Sequence, residues 1–463
     1  RYSTGNDNTA VGSTALDANT TGASNTAVGK EALSANTTAD YNTGIGHGAL
    51  SSNTDGAQNT GIGAFALRYN TTADNNTAVG YQALTENTTG YSNVAVGRQA
   101  AQNGTTGYKN TAIGYQSLQA ITTGHRNNAL GANTLDANTT GAYNTAIGHE
   151  ALSTNTTANN NTAVGYQALT VNTTGDKNTA VGSTTLDGNT TGAYNSAFGF
   201  DALGSNTTAN ANTALGYEAM DTNTTGAYNV AVGAGSLDGN TTGSSNVGIG
   251  YYALLTASTA SNNTAVGREA LKVCTGGSNT AVGRSAAIAN TSGNYNTAIG
   301  MNSLDANTTA SYNTAVGHDS LGANTTGERH SIIGAYAGDS ITTANWCVAV
   351  GYEALTSCTT GNYNIAIGYE ALEECTTGAD NVAVGLRALE ENTTAANNVA
   401  VGNYSLEANT TGANNTAVGR SALSENTIGA YNVAVGGLAG DANTEGDENT
   451  TIGYGSLSSN TTG

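Results

Sequence analysis

The stretch Asn76-Thr-Ala-Val-Gly-Tyr-Gln-Ala-Leu-Thr-Glu-Asn-Thr-Thr-Gly-Tyr-Ser92 is one copy of a 17-residue unit that fills the whole chain. Copies begin every 17 residues from Asn8 to Asn263 and again from Asn279 to Asn449, which makes 27 starts. Helical-hairpin repeats need ~33 to 47 residues, whereas so short a period is typical of one coil of a β-solenoid. The sequence therefore predicts an all-β fold, a parallel β-solenoid (β-roll) of about 27 coils with a 17-residue repeat.

Composition narrows the possible functions. The 463 residues carry 13 Lys and Arg against 33 Asp and Glu, which gives a formal net charge of −20. Nucleic acids and anionic membrane surfaces bind clustered cations, so we expect no nucleic acid partner. No apolar run approaches the ~20 residues of a membrane helix, so we expect no membrane insertion of this segment. The 4 Cys do not form a disulfide framework and leave the compartment undecided.

The repeat runs from one end of the sequence to the other. This predicts a single continuous β-solenoid array over residues 1–463, uncapped at both ends. Residues 1–7 are the tail of a unit, and Gly463 stops before the last unit would finish. We therefore expect either a piece of a longer protein or a chain that stacks end to end with copies of itself.

Positions within a unit are counted from 1 to 17, starting at its first Asn. Position 4 is always apolar, and we interpret it as the core-facing residue of a short strand. Position 3 is nearly always Ala and points to the opposite face. That Ala row is either a surface for packing against other chains or a second small internal layer. The residues at position 4 include Val11, Ile45, Leu130, Phe198 and Ile452.

Two further positions complete the predicted coil. Position 5 is Gly in all 27 copies, which indicates a tight bend or a positive φ at the end of each strand. Position 9 is usually Leu and supplies a second large apolar side chain. We expect two short strands and two turns per coil, with coils stacked at ~4.8 Å into a rod on the order of 130 Å long.

Position 12 is Asn in 20 of the 27 copies and is usually followed by Thr-Thr, which matches the N-glycosylation acceptor. Elsewhere this position holds Gly, Ala, Ile or Cys, which are residues of buried sites. We therefore interpret the Asn as an inward stack of hydrogen-bonded amides, with N-linked glycans as the alternative. The first members of the stack are Asn19, Asn36, Asn53, Asn70 and Asn87.

Three other groups are candidates for sites. Glu373, Glu390 and Glu407 share position 10 of successive coils and form either a solvated acidic stripe or a weak metal site. Cys358 and Cys375 share position 12 of adjacent coils and form either a disulfide or two stacked thiols. A row of Tyr at position 6 either covers the turns or contacts a surface or glycan by stacking; it includes Tyr81, Tyr115, Tyr166 and Tyr217.

Catalytic chemistry is not indicated. The five His are His47, His125, His149, His318 and His330; each lies in a different coil, and we expect no two to share a metal. The repeat brings no Ser, His and Asp together on one local surface. We expect no enzymatic activity, no catalytic residue and no cofactor.

The segment Asn93-Val-Ala-Val-Gly97, with Ala or Ser three residues after the Gly, resembles the head repeats of trimeric autotransporter adhesins of the YadA type. Related repeats occur in phage tail fibres. The resemblance implies a left-handed parallel β-roll, packing of three chains, and an adhesive rod. It covers the whole chain but depends on about five positions per unit.

These observations predict a non-enzymatic structural fibre or adhesin rod that is extracellular, on a cell surface or in a virion fibre. Its main partner would be itself, as a homotrimer or an end-to-end filament, with cell-surface or glycan ligands in addition. One alternative is an ice-binding or glycan-binding solenoid that uses the Thr at positions 13 and 14. Another is a heavily glycosylated scaffold filament.

Overall fold

A computed structural model describes residues 4–462 and confirms the all-β parallel solenoid with a 17-residue repeat. Each unit forms one coil with one three-residue β-strand, at positions 2 to 4. The prediction of two strands per coil is wrong. Positions 7, 9 and 17 have a positive φ, as in Glu31 (62°), Leu33 (49°) and Tyr41 (61°), and a β-strand does not accept this conformation. No helix long and apolar enough to cross a membrane occurs in residues 4–462.

The chain divides into two compact units, residues 1–229 and 230–463. The first unit contains β1 (Thr9–Val11), β2 (Thr26–Val28), β3 (Thr43–Ile45), β4 (Thr60–Ile62), β5 (Thr77–Val79), β6 (Val94–Val96), β7 (Thr111–Ile113), β8 (Asn128–Leu130), β9 (Thr145–Ile147), β10 (Thr162–Val164), β11 (Thr179–Val181), β12 (Ser196–Phe198) and β13 (Thr213–Leu215). The second unit contains β14 (Val230–Val232), β15 (Val247–Ile249), β16 (Thr264–Val266), β17 (Thr280–Val282), β18 (Thr297–Ile299), β19 (Thr314–Val316), β20 (Ser331–Ile333), β21 (Val348–Val350), β22 (Ile365–Ile367), β23 (Val382–Val384), β24 (Val399–Val401), β25 (Thr416–Val418), β26 (Val433–Val435) and β27 (Thr450–Ile452).

Within each unit, consecutive strands pair in parallel and in register. Ala163 of β10, for example, lies beside Ala180 of β11. Register survives the one short coil, because Thr264 of β16 still pairs with Thr280 of β17 although only 16 residues separate them. The turn after Cys274 absorbs the missing residue. Identical side chains are therefore stacked into columns that run along each unit.

The turns are also hydrogen-bonded from coil to coil. Near the first strands, the Leu16 N–H donates to the Ala32 carbonyl at 3.0 Å, and the Thr20 N–H donates to the Thr37 carbonyl at 2.9 Å. The Gly at position 5 belongs to the same network. At Gly165 φ is 141°, and a Cβ there would lie 2.1 Å from the carbonyl oxygen of Gly182 in the next coil. Only glycine allows this approach, which explains why position 5 never varies.

The inward and outward faces of the strands are the reverse of the prediction. Ala at position 3 is fully buried, as at Ala163, and Leu at position 9 packs beside it in the core. Position 4 points outward. The side chains interpreted as core are exposed by 58% (Val11), 37% (Ile45), 48% (Leu130), 39% (Phe198) and 73% (Ile452).

The small space inside the coil explains this reversal. A Cβ built on Gly44 at position 3 would lie only 3.2 Å from Cγ of Leu33, so the inward position accepts a methyl group and little more. Coil 330–346 shows the compensation that a larger residue needs. There Ile332 occupies position 3, and Gly338 replaces the Leu at position 9. Bulky β-branched side chains therefore stand outside, because the core has no volume for them.

A pair of substitutions in β10 tests this orientation. Ala163→Leu should overpack the core and lower the unfolding free energy by about 1 to 3 kcal/mol. Val164→Leu, on the half-buried outer face, should change it by less than about 0.5 kcal/mol. The shift of the urea unfolding midpoint, followed by circular dichroism, measures both effects. A larger loss from Val164→Leu than from Ala163→Leu would contradict the assignment.

Candidate functional site

Two columns of buried amides close every regular coil. The Asn at position 1 accepts a hydrogen bond from the backbone of the next coil and donates one to the carbonyl at position 15. Asn178 Oδ1, for example, accepts from the Asn195 N–H at 3.0 Å, and Asn178 Nδ2 donates to Gly192 O at 2.8 Å. The Asn at position 12 donates to that same carbonyl, as Asn189 does at 3.0 Å. Both columns therefore converge on one backbone oxygen per coil.

The position-12 side chains also bond to one another along the column. Each Nδ2 donates to the Oδ1 of the coil before it, at 3.1, 3.1, 2.7 and 2.7 Å along the five side chains named from the sequence. Four of these side chains have no exposed surface, and the first is 6% exposed. In the folded chain these amides are enclosed, so no glycan could be attached there. The five are Asn19, Asn36, Asn53, Asn70 and Asn87.

His330 and Cys347 are the two exceptions to Asn at position 1, and they occupy adjacent coils. The His330 ring reproduces both Asn contacts. Its Nε2 lies 2.9 Å from the Ala344 carbonyl, and its Nδ1 accepts from the Cys347 N–H at 3.2 Å. These partners specify a neutral ring with the proton on Nε2. Burial lowers the pKa of His330 to about 4, so the ring stays neutral at physiological pH.

All four cysteines are buried free thiols. Cys347 and Cys358 both donate to the Gly361 carbonyl, with sulfur to oxygen distances of 3.3 and 3.5 Å. Cys375 follows Cys358 in the position-12 column, and the hydrogen bond between these two thiols, together with burial, raises the pKa of Cys375. Burial raises the pKa of Cys347 to about 12. The three thiols thus replace amides of the two Asn columns. In this structure Cys358 and Cys375 are two stacked thiols, and a disulfide between them under oxidising conditions stays a prediction.

A small group of glutamates in the second unit lies close to one arginine. The carboxylates of Glu353, Glu370 and Glu373 lie within 4.8 Å of one another. Arg387 Nε lies 2.7 Å from a Glu370 oxygen and 3.7 Å from a Glu390 oxygen. Glu370 is the most buried of the glutamates that pair with the arginine, at 8% exposed. Its charge is therefore balanced by Arg387 of the same chain.

Of the three sequence candidates for a metal site, only Glu373 belongs to this carboxylate group. Glu390 and Glu407 follow it along the position-10 column. Burial raises the pKa of Glu373 and Glu407, and it raises that of Glu390 to about 7. At neutral pH Glu390 therefore carries only part of its negative charge.

The tyrosines at position 6 are exposed, but in three of the four named ones a neighbouring side chain lies against one face of the ring. Tyr166 stacks on His149 with centroids 5.8 Å apart, and Tyr217 stacks on Phe200 at 5.7 Å. The Arg98 guanidinium lies 5.8 Å from the Tyr115 ring centre. Stacking of these rings on a flat ligand is therefore restricted. The four named rings, Tyr81, Tyr115, Tyr166 and Tyr217, are 45, 43, 51 and 55% exposed.

A second aromatic group, which we name the basic corner, lies at positions 16 and 17 of successive coils. It consists of Tyr91, Tyr108, Lys109, His125 and Arg126. Tyr108 stacks between Tyr91 (centroids 5.0 Å apart, interplanar angle 7°) and His125 (4.7 Å, 8°). Lys109 and Arg126 are exposed beside this stack. Sequence reasoning missed the group, although no Asp or Glu occurs between Glu86 and Asp136.

The threonines at positions 13 and 14 do not form a flat double row. The position-13 hydroxyl donates to the position-13 carbonyl of the next coil, as from Thr139 to Thr156 at 3.1 Å. The position-14 side chain, such as Thr140, is exposed and forms a single column. The double Thr array that an ice-binding face would use is absent at these positions in residues 4–462.

The outward face of the strands is an extended surface whose position-4 side chains the sequence had predicted to lie in the core. It consists of positions 2 and 4, where Thr or Val alternates with Val, Ile, Leu or Phe around the buried Ala. Leu215 is 49% exposed, and Ile333 is 46% exposed. No strand has a charged residue at either position. We name this surface the uncharged face; the compensating pair Ile332 and Gly338 was the sequence signal that could have identified it.

The buried imidazole predicts a pH dependence of stability. Unfolded His330 takes up a proton below its ordinary pKa of 6.5, whereas the folded ring resists protonation down to about 4. His330 should therefore cost stability as the pH falls from 6.5 to 4, by about 3 kcal/mol at full effect. His330→Asn restores the regular column and removes this loss. The urea midpoint of this variant minus that of the natural chain should be larger at pH 4.5 than at pH 7.5, because these values lie on either side of the unfolded pKa of about 6.5. An unchanged difference would contradict the neutral buried ring.

The chain was also compared with known proteins. No family model matches it, and no curated protein matches it. The resemblance to adhesin head repeats therefore stays a prediction that depends on the repeat itself.

Proposed function

We propose that this protein is a non-enzymatic structural rod that assembles with copies of itself through the uncharged face. The single observation that carries the proposal is the unbroken column of exposed or half-buried apolar side chains at position 4. These side chains lie on 13 consecutive strands of the first unit and on 14 of the second. Their regular spacing suits a repeating contact better than a site for one small ligand.

The apolar area supports assembly. A position-4 side chain exposes on the order of 50 Å², so the first unit presents on the order of 600 Å² from this column alone. Monomeric proteins seldom expose a larger contiguous patch than that, and a stable interface needs about 800 Å² from each partner. With the Thr and Val of position 2 added, each unit offers an area of that size.

A second copy of this chain is the occupant that fits the face best. Two copies have the same coil spacing, so their columns can meet in register over many coils. The chain has a net charge of −20, and most of its surfaces would repel a second copy. The uncharged face lacks that repulsion. We take three as the number of copies from the resemblance to adhesin heads, in which three rolls pack together.

We further propose an adhesin or fibre role outside the cell, on a cell surface or in a virion fibre. The repeat supports a mechanical role, because its recurring residues are Asn, Thr, Ala and Gly, and the structural columns use most of them. A shallow depression of about 150 Å³ is formed by Arg420, Gly437, Leu438 and Tyr454, where Gly437 interrupts the position-6 column. It is smaller than the ~300 Å³ of a typical ligand pocket.

Paired lysine substitutions in two adjacent coils test the assembly. Phe198→Lys with Leu215→Lys places two charges on the uncharged face and should shift sedimentation equilibrium from a multiple of the 46.0 kDa chain toward the single chain. Burying unpaired like charges in a symmetric interface costs several kcal/mol.

The matched control is Thr208→Lys with Thr225→Lys, on the exposed position-14 column of the same two coils. It should leave the assembly unchanged. A natural chain that sediments as one copy, or equal effects of the two variants, would refute the proposal.

A further inference from the structure

We infer that the basic corner binds an acidic polysaccharide, a chain of hydroxyl-rich sugars that carries carboxylate or sulfate groups. The inference names a ligand class for the proposed adhesin. Its biological role rests on that proposed function, but the binding itself does not. Its physical basis is separate from the uncharged face, because positions 16 and 17 lie at a turn and positions 2 and 4 in the strand.

The backbone of each cationic residue of the corner is hydrogen-bonded to the coil before it. The Lys109 N–H donates to the Tyr91 carbonyl at 3.0 Å, and the Arg126 N–H donates to the Tyr108 carbonyl at 3.1 Å. The two cations therefore lie one coil apart, about 4.8 Å along the stack. The Arg126 guanidinium is 5.2 Å from the Tyr143 ring centre, and its Nη1 hydrogen-bonds to the Tyr143 hydroxyl. Of the two cations, Arg126 is therefore already held against a ring and loses less side-chain freedom when a ligand binds.

The ring geometry favours a polysaccharide over a nucleic acid. Single-stranded nucleic acids bind by stacking bases on open aromatic faces. In the corner, Tyr108 has one face against Tyr91 and the other against His125, so this central ring offers a ligand only its edge and its hydroxyl. Edges and hydroxyls suit a ligand rich in hydroxyl groups, and the neighbouring cations suit its anionic groups.

The basic corner lies in a positively charged segment of a chain that is otherwise strongly negative. From residue 87 to residue 135 the chain has three cationic side chains and no carboxylate, within a chain of net charge −20. A polyanion is repelled from most of the surface and finds its favourable potential here. Arg329 provides the internal contrast. It also lies at position 17, between Tyr312 (5.7 Å) and Trp346 (4.7 Å), but Glu328 pairs with it at 3.3 Å.

Binding of two defined polyanions to the full chain tests the inference. Heparin supplies sulfate and polygalacturonate supplies carboxylate, and isothermal titration at low and at physiological salt measures each affinity. We expect binding of at least one of them that weakens as salt rises. Lys109→Gln with Arg126→Gln should reduce this affinity by roughly tenfold or more. Arg329→Gln, the matched control, should leave it within about twofold, because its charge is already paired.

Each outcome decides the inference. Binding of neither polyanion, or binding that the double variant leaves intact, overturns it. Equal binding of single-stranded DNA, lost in the same variant, overturns the assignment to a polysaccharide. Circular dichroism of each variant separates loss of binding from loss of fold. Sedimentation of the double variant should match that of the natural chain, so a failure of self-assembly and a failure of polyanion binding are recorded separately.

Discussion

One backbone carbonyl in each regular coil, at position 15, closes the structure. It accepts the side-chain amides of positions 1 and 12, as Gly192 O does from Asn178 and Asn189 at 2.8 and 3.0 Å. Those amides are enclosed, so a partner lost from either would cost about 1 to 3 kcal/mol. In an isolated coil, the amide groups that face the coils before and after it would have no hydrogen-bond partner. Stacking satisfies them, so the hydrogen-bonding demand of one coil is met by the next.

The closed coil leaves a narrow interior, and its small volume decides which side chains must face solvent. Ala at position 3 and Leu at position 9 fill the space, and larger residues enter only when a partner shrinks, as Ile332 does opposite Gly338. The β-branched residues that favour the strand must then stand outside. A fold closed by hydrogen-bonded columns thus carries an uncharged apolar face in solvent. In our proposal this face joins the copies of the rod, while the turns remain available for ligands such as the polyanion inferred for the basic corner.

The repeat length predicted the fold class, because a 17-residue period with an invariant Gly fits few architectures. It did not predict which side of the strand is buried. A three-residue strand has one inward residue, and Val at position 4 has the stronger hydrophobic signal, whereas Ala163 has the better fit to the space. Space is a property of the closed coil and not of any single residue. The basic corner was missed for a related reason, since Tyr108 and His125 lie 17 residues apart and become neighbours only through the exact register of the coils.

Hydroxyl-radical footprinting over a dilution series, with mass spectrometry of each peptide, tests the central claim most directly. The account predicts that Phe198 and Leu215, at position 4, are oxidised in the dilute single chain and become protected as the copies assemble. Leu203, at position 9 and fully buried, should stay protected at every concentration. Oxidation of Leu203 with protection of Phe198 and Leu215 at all dilutions would contradict the outward face, and oxidation of the latter two that never changes with concentration would contradict the assembly.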